Sequence, residues 1–477
     1  MPRFALLTIL AALALPATAG AAEPPVLVLG PHGARVDPDP VLRAAPRDPS
    51  PPPAARAARA ATSAGALDRA LARLRPRLPV GTYPAAAREL HAARAAARRL
   101  TGTPGYELRS VLADLDGLAA RGRLTPSRVP EVILTVRRNR EWWTRGTALI
   151  PGQRVRFTGS WIVWQMYAGH GLALQVLGSW GAVNGYWQGG ARYRSEFNSL
   201  VHELVPLAAS RAGGIAWEYL FPFGGGLPPW ASGMAQATAV QGLARAARRL
   251  HEPRLLAVAR RALPLFRTRP PEGVRIPTSR GAHYLLYSFA PSVRVFNGFA
   301  QAVIGLEDLA ALGGGKQAAA LATAGEREAR AFLPRADTGA WSLYEAGGLA
   351  SESTLDYHVL LRDFLRGLCS RTRHAGYCAE ADRFTRYLAE PPRLAGVTSR
   401  VPARRRGLLR FTVSKVSRVG LEVRRHGVAV FGTSAVVGRG AHAYPWTAPG
   451  RGDFTLVLFA RDVAGNAVRV ETPLAVR

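Results

Sequence analysis

Cysteine and lysine are nearly missing from this chain: Cys369 and Cys378 are its only cysteines, Lys316 and Lys415 its only lysines. Carboxylates are scarce as well, with 32 Asp and Glu against 63 Lys and Arg in 477 residues. So few cysteines exclude a cysteine-built metal centre, because nothing completes a tetrahedral thiolate set. No HExxH, no GxSxG and no glycine-rich phosphate loop occurs, and the local signals of zinc proteases, serine hydrolases and nucleotide binding are therefore absent. No metal and no cofactor is expected. Beyond the first residues, no stretch is apolar for long enough to span a bilayer.

What is present is arginine. The formal net charge is +31 and the pI about 11.5. Alanine and arginine dominate together, so codon composition accounts for part of the excess. The physical consequence holds either way, because a strongly positive surface draws polyanions inward. The N-terminus separates the two main polyanions. Met1-Pro2-Arg3 is a short basic start, Phe4 to Leu15 is apolar, and Ala19-Gly20-Ala21 fits an A-x-A cleavage site. Residues 1–22 are thus expected to be a secretory signal peptide, an uncleaved anchor being the alternative. An exported, secreted or cell-surface protein meets glycans rather than nucleic acid, so an acidic polysaccharide is the expected partner and nucleic acid is not. Self-association as a homodimer is left open. In an oxidising compartment, Cys369 and Cys378, nine residues apart, are expected to form one disulfide; two free thiols are the alternative.

A mean hydropathy of -0.00 and 48% hydrophobic residues suit two or three globular domains. Residues 23–60 are rich in proline and read as a linker. From 61 to 150, Ala/Leu/Arg segments broken by Pro79, Pro84, Pro104 and Pro126 predict four helices between Leu67 and Trp143. Residues 151–391 begin with crowded aromatics and glycines, then turn to paired helical segments. Ser232 is expected to cap one helix and Asn297 the next, in which Phe299, Val303 and Leu306 share a face. Tyr357, Leu361, Phe364, Leu365 and Leu368 mark the last. Helix pairs joined by aromatic loops predict a mainly α fold, an α/α toroid or incomplete α/α barrel. In residues 392–477 the period changes to two, with Leu408, Phe411, Val413, Val419, Leu421, Val423, Val428 and Val430 marking short strands. An immunoglobulin-like β-sandwich is expected there.

Three blocks recur in a telling order. They are Pro229 to Gln236, then Val295-Phe296-Asn297-Gly298-Phe299 leading into Ile304 to Leu309, and Ala336 to Leu361 with Tyr344 and Asp356-Tyr357-His358. In that order they resemble the C-terminal catalytic domain of the D-glucuronyl C5-epimerases, which act on heparosan-like polysaccharides; the resemblance runs from about Tyr167 to Leu388. Epimerising a uronate at C5 removes a proton beside a carboxylate and returns one from the opposite face. It needs two acid/base groups and donors that neutralise the growing negative charge. Tyrosine suits the acid/base part, since nearby cations lower its pKa. The resemblance implies that Tyr344 and Tyr357 do that work. It also implies a Tyr-Glu-Glu-Tyr-Pro-like string before Asn-Gly-Phe, where this chain reads Tyr284-Leu285-Leu286-Tyr287. The tyrosines persist and the carboxylates do not, so epimerase chemistry here requires Tyr287, Glu218 or Glu345 to substitute for the missing base.

Tyr167, Asn184, Trp217, Gln236, Arg294, Asn297 and His358 are the candidate substrate-binding residues. Tyr167 opens a Tyr- and Gly-rich segment, Trp217 offers an apolar face to a sugar, Arg294 a planar fork to a carboxylate, and His358 an orienting group for Tyr357. Each has a plainer reading: aromatic and histidine side chains of this kind also fill cores. Two rivals stand beside the epimerase. A polysaccharide lyase would use the same tyrosine base and expel the C4 substituent. A glycan-binding protein would have kept the groove and lost the base.

If the arginine excess serves polyanion capture, binding to a uronic-acid polymer weakens steeply with added salt, because charges are screened beyond about 8 Å at physiological ionic strength. A neutral glucan then binds far less. Isothermal titration across a salt series checks this, and equal, salt-independent affinity for both polymers contradicts it.

Overall fold

The computed structural model describes residues 24–44, 65–348 and 350–477. The expected signal peptide at residues 1–22 lies outside them, as does the linker beyond residue 44. Residues 24–44 correct the linker reading. The apolar run Val26 to Leu29 is buried, and Leu27–Gly30 forms a hairpin with Gly33–Val36. Leu27–Gly30 then pairs in parallel with Arg154–Phe157, and Trp164–Tyr167 and Gly171–Leu174 complete a five-stranded sheet. The flanking prolines suggested a linker, but burying a four-residue apolar strand outweighs them. A short helix, Pro40–Ala44, follows the hairpin.

The alanine-rich segments fold into four helices, Ala66–Leu74, Thr82–Arg99, Gly102–Ala120 and Val129–Arg145. Four helix pairs come next: Val176–Gln188 with Arg194–Leu204, Gly233–Arg249 with Arg254–Arg261, Phe296–Leu309 with Gly315–Phe332, and Leu355–Thr372 with Ala375–Tyr387. The first members pack side by side in chain order, and each second member packs against its own partner. Glycine permits the tightest of these contacts: a Cβ on Gly305 would lie 2.3 Å from the Ala237 carbonyl oxygen. Ser232 caps its helix, accepting from the Ala235 amide at 3.2 Å. Asn297 does not cap the next. That helix starts at Phe296 with Val295 as its N-cap, and Asn297 sits buried in the first turn.

A separate C-terminal β-sheet region has its own core, in which Leu409, Phe411, Val423, Phe454, Leu456 and Leu458 take part. One sheet joins Leu394–Ala395, Arg406–Val413 and Gly440–Thr447; the other runs Arg400–Val401, Ala467–Val476, Gly452–Asp462, Ser417–Arg425, Val428–Val437. Leu408, Val428 and Val430 point outward, and Leu409 faces the core. Cys369 and Cys378 form the disulfide that joins the last two helices. No helix among the described residues is long and apolar enough to cross a membrane.

Two histidines sit wholly inside the helical core. His283 stacks on Phe299 at 4.2 Å, and its ring nitrogens have no hydrogen-bond partner among the described residues. His358 lies flat on Trp341 at 3.8 Å. Burial pushes His283 down to about 3 and His358 down to about 4, the Phe384 carbonyl partly opposing the second shift. Both are therefore neutral in the folded state, while the unfolded chain protonates them near their ordinary value of 6.5. Between those values the unfolded state binds more protons, so this stability is present above pH 6.5 and lost as pH falls. Denaturant unfolding of wild type and His358→Gln from pH 7.5 to 4.5 tests the sign. The wild type should lose stability relative to the variant on acidification, with a limiting slope of about 1.4 kcal/mol per pH unit; parallel curves contradict it.

Candidate functional site

The inner faces of the four side-by-side helices enclose an open cleft of about 960 Å³. The helix spacing puts Asn184 on the first helix, Thr238, Gln241 and Arg245 on the second, Gln301 on the third, and Tyr357, Asp363 and Arg371 on the fourth. Four arginines, Arg43, Arg192, Arg245 and Arg371, line it against two aspartates, Asp356 and Asp363. The short helix Pro40–Ala44 forms part of one wall.

The polar floor is tied through Asp308. Its carboxylate accepts from Gln241 Nε2 at 2.7 Å, Arg245 Nη2 at 2.8 Å, and Arg371 Nε and Nη2 at 2.7 and 3.1 Å. Burial alone would raise the Asp308 carboxyl; Arg371, Gln241 and Arg245 outweigh it and hold the group below its usual range. Arg245 also donates to Asn184 Oδ1 at 2.7 Å, and Gln301 donates to Thr238 and Gln241, both at 3.2 Å. Arg245, Gln241, Asp308 and Arg371 had no assigned role in the sequence. The only signal was Glu307-Asp308 ending an apolar helix inside one of the quoted blocks.

Tyr357 stands half-buried in the first turn of Leu355–Thr372, whose N-cap Thr354 accepts its amide at 3.4 Å. Its ring meets that of Tyr344, centroids 5.2 Å apart and 33° between planes. Tyr357 lines the cleft; the Tyr344 hydroxyl is buried behind it. The Tyr344 strand is stitched to the helix start that carries two other candidates. Arg294 pairs with Ala346 and Val295 with Glu345, and the Phe296 amide donates to the Tyr344 carbonyl at 3.1 Å. Asn297 follows, buried, its Oδ1 without a hydrogen-bond partner among the described residues. A buried unsatisfied oxygen of this kind is costly and marks a place where a donor is wanted. Tyr344, Tyr357, Arg294 and Asn297 thus belong to one end of the helix layer, and Asn184 to the cleft floor.

The remaining candidates are placed elsewhere. Trp217 is wholly buried, its edge on Trp180 and its Nε1 donating to the Leu204 carbonyl at 2.7 Å. Gln236 spends its amide on the Trp217 backbone, accepting at 3.1 Å and donating at 2.7 Å. His358 has both nitrogens engaged, with Ser342 Oγ at 2.8 Å and the Phe384 carbonyl at 2.9 Å. These three hold the core and offer a sugar nothing. Tyr167 and Tyr287 join one aromatic cluster with Phe223 between them, and Tyr287 is only 1% exposed. Burial keeps Tyr287 out of the cleft lining.

The proposed substitutes for the missing base are engaged as well. Glu218 is gripped by Arg128 at 2.6 Å and Arg211 at 2.7 Å in a fully buried cluster. Glu345 accepts from the Gly348 and Ala350 amides at 2.8 and 2.7 Å, stapling its own loop. Leu285 and Leu286 are 0% and 1% exposed, and Leu286 packs on Gly298.

Residues 213–386 match the family model described as D-glucuronyl C5-epimerase C-terminus. The D-glucuronyl C5-epimerase of Caenorhabditis elegans is 29% identical over 180 residues, covering 34% of this chain and 29% of that protein. The chain therefore matches less than a third of that relative's length. The family match takes in Tyr344 and Tyr357, spans the last three helix pairs and stops before the C-terminal β-sheet region. Over those helix pairs the chain is similar to the C-terminal domain of the glucuronyl C5-epimerases.

Proposed function

We propose that this protein acts on an acidic, heparosan-like polysaccharide as a uronate C5-epimerase, with Tyr357 and Tyr344 as the proton-transfer pair. The observation that carries the reading is the contact of these two tyrosines at a cleft walled by arginine, inside the segment that matches the epimerase family model. The side-by-side order of the four first helices favours an incomplete α/α toroid over residues 151–391. Two sheets sharing one apolar core favour an immunoglobulin-like sandwich over 392–477. Residues 61–150 form the N-terminal helical segment in this organisation, and residues 1–22 export the chain.

In this mechanism a uronate enters with its carboxylate toward the arginines. Tyr357, already at the cleft surface, exchanges the C5 proton on one face of the sugar. Tyr344 serves the other face once substrate has separated the two rings, since its hydroxyl is buried in the free protein. Arg294 and Asn297, joined to the Tyr344 strand, meet the carboxylate as negative charge grows on it.

A second reading has its own support. Leu285 and Leu286 are core residues and Tyr287 is buried, so a base that the family pattern implies has no counterpart in the cleft. On that reading the protein binds the glycan without turning it over.

The test is deuterium incorporation at C5 of heparosan in D₂O, read by NMR. The epimerase reading expects incorporation by wild type and a loss of about a hundredfold or more in Tyr357→Phe and in Tyr344→Phe, with binding retained. Full exchange in both variants contradicts the assignment. Binding with no exchange by wild type establishes the second reading, and absorbance from a 4,5-unsaturated product establishes a lyase.

A further inference from the structure

The loop that carries Tyr344 into Tyr357 is gripped from behind by the C-terminal β-sheet region, along two routes. On the first, the Glu352 carboxylate, 4% exposed, accepts from the Val416 amide at 2.6 Å, and Arg439 lies 3.4 Å from its other oxygen. Glu352 is bridged across the loop to Leu343, and the Tyr344 amide donates to the Ser351 carbonyl at 2.8 Å. On the second, Lys415 is buried against Asp462 at 2.6 Å and donates to the Tyr387 and Glu390 carbonyls. Its Nζ stands 5.2 Å from the ring centre of Trp341. Trp341 in turn stacks on His358, the residue after Tyr357, and donates to the Ser353 carbonyl at 2.8 Å. One route ends at each tyrosine.

We infer that the C-terminal β-sheet region is a working part of the site, and that Glu352 and Lys415 are positioning residues for the Tyr344–Tyr357 pair. The inference rests on the reading of that pair as the reacting groups. The family match stops at residue 386, before the first strand of this region at Leu394, so the bracing is a property of this chain's own architecture. Each route runs through a buried charged side chain, Glu352 on the first and Lys415 on the second, where removing Lys415 would leave Asp462 buried and uncompensated. The loop cannot relax on one side without moving a tyrosine on the other. A region joined to the helices only as cargo would have no reason to hold buried charges against this one loop.

The experiment compares full-length wild type, Glu352→Ala, Glu352→Gln and Arg439→Ala. Amide hydrogen exchange is followed in residues 342–354 and, as an internal control, in the helix Gly233–Arg249. Glu352→Ala should speed exchange in the loop by about tenfold or more while the control helix is unchanged, as expected of local rather than global opening. Glu352→Gln, whose amide oxygen still accepts from Val416, should recover most of that protection. C5 exchange on heparosan should show kcat down by about tenfold in Glu352→Ala with KM nearly constant, the pattern of a lost orienting contact. If Glu352→Ala also loses protection in the control helix, Arg439→Ala, at a side chain 46% exposed, carries the same comparison. Unchanged loop protection in both Glu352→Ala and Arg439→Ala overturns the inference whatever the activity. Absence of C5 exchange in wild type counts against the epimerase reading instead, and the loop comparison still decides the bracing.

Discussion

Asp308 is the acceptor on which the cleft depends. It sits on the third of the four side-by-side helices and takes donors from the second, through Gln241 and Arg245, and from the fourth, through Arg371. The Asp308 side chain is only 16% exposed and takes several charge-assisted bonds, so losing one donor weakens the whole set. Three helices are thereby held in one register, and Gly305 lets the second and third approach to backbone contact. The cleft floor is therefore polar by construction and already satisfied. Asn184, Thr238 and Gln301 extend the same network, so a ligand meets a preorganised surface whose side chains are oriented before it arrives.

Tyr357 is placed by this frame, since Arg371 anchors the same helix about four turns further on. Tyr344 is placed by something else: a loop stitched to the Arg294–Phe296 segment and closed on Glu345. The two tyrosines thus come from independently supported elements that meet at one end of the cleft. Such a meeting suits the two-face proton transfer proposed above, as does the bracing of the loop on its outer side. The ring contact seen here is the free state. In the proposed mechanism a sugar parts the rings, and the loop, rather than the helix, is the element expected to yield.

Much of the scaffold was legible because local rules agreed with the fold. Between Leu67 and Trp143, Pro79 and Pro126 fall between helices and Pro84 and Pro104 in first turns, and Ser232 does cap its helix, since nothing tertiary opposes those preferences. Residues 24–44 depart from what their prolines suggest because the short apolar run Val26 to Leu29 is buried, with one of its two strand partners over a hundred residues away. Leu408 and Leu409 show the same limit on a smaller scale: both lie in one strand, and only the pairing says which faces inward. In the site, the letters that promise sugar binding are the letters that build cores. Trp217, Gln236, His358 and Tyr287 are buried, and Asn184 and Tyr357 are not wholly so, yet no spacing in the chain distinguishes them. The Asp308 network was invisible for the complementary reason: its members are far apart in sequence and become chemistry only when the helices align.

In the proposed mechanism a uronate ring sits between the hydroxyls of Tyr344 and Tyr357 with its carboxylate among the arginines of the cleft. A crystal structure with a glucuronate-containing tetrasaccharide tests it most directly. The C5 carbon should then lie within hydrogen-transfer reach of both hydroxyls, about 3–3.5 Å as in near-attack geometries, with the tyrosine rings parted and the helix register around Asp308 unchanged. A tetrasaccharide lying along exposed arginines outside the cleft, with the two rings still in contact, would contradict it.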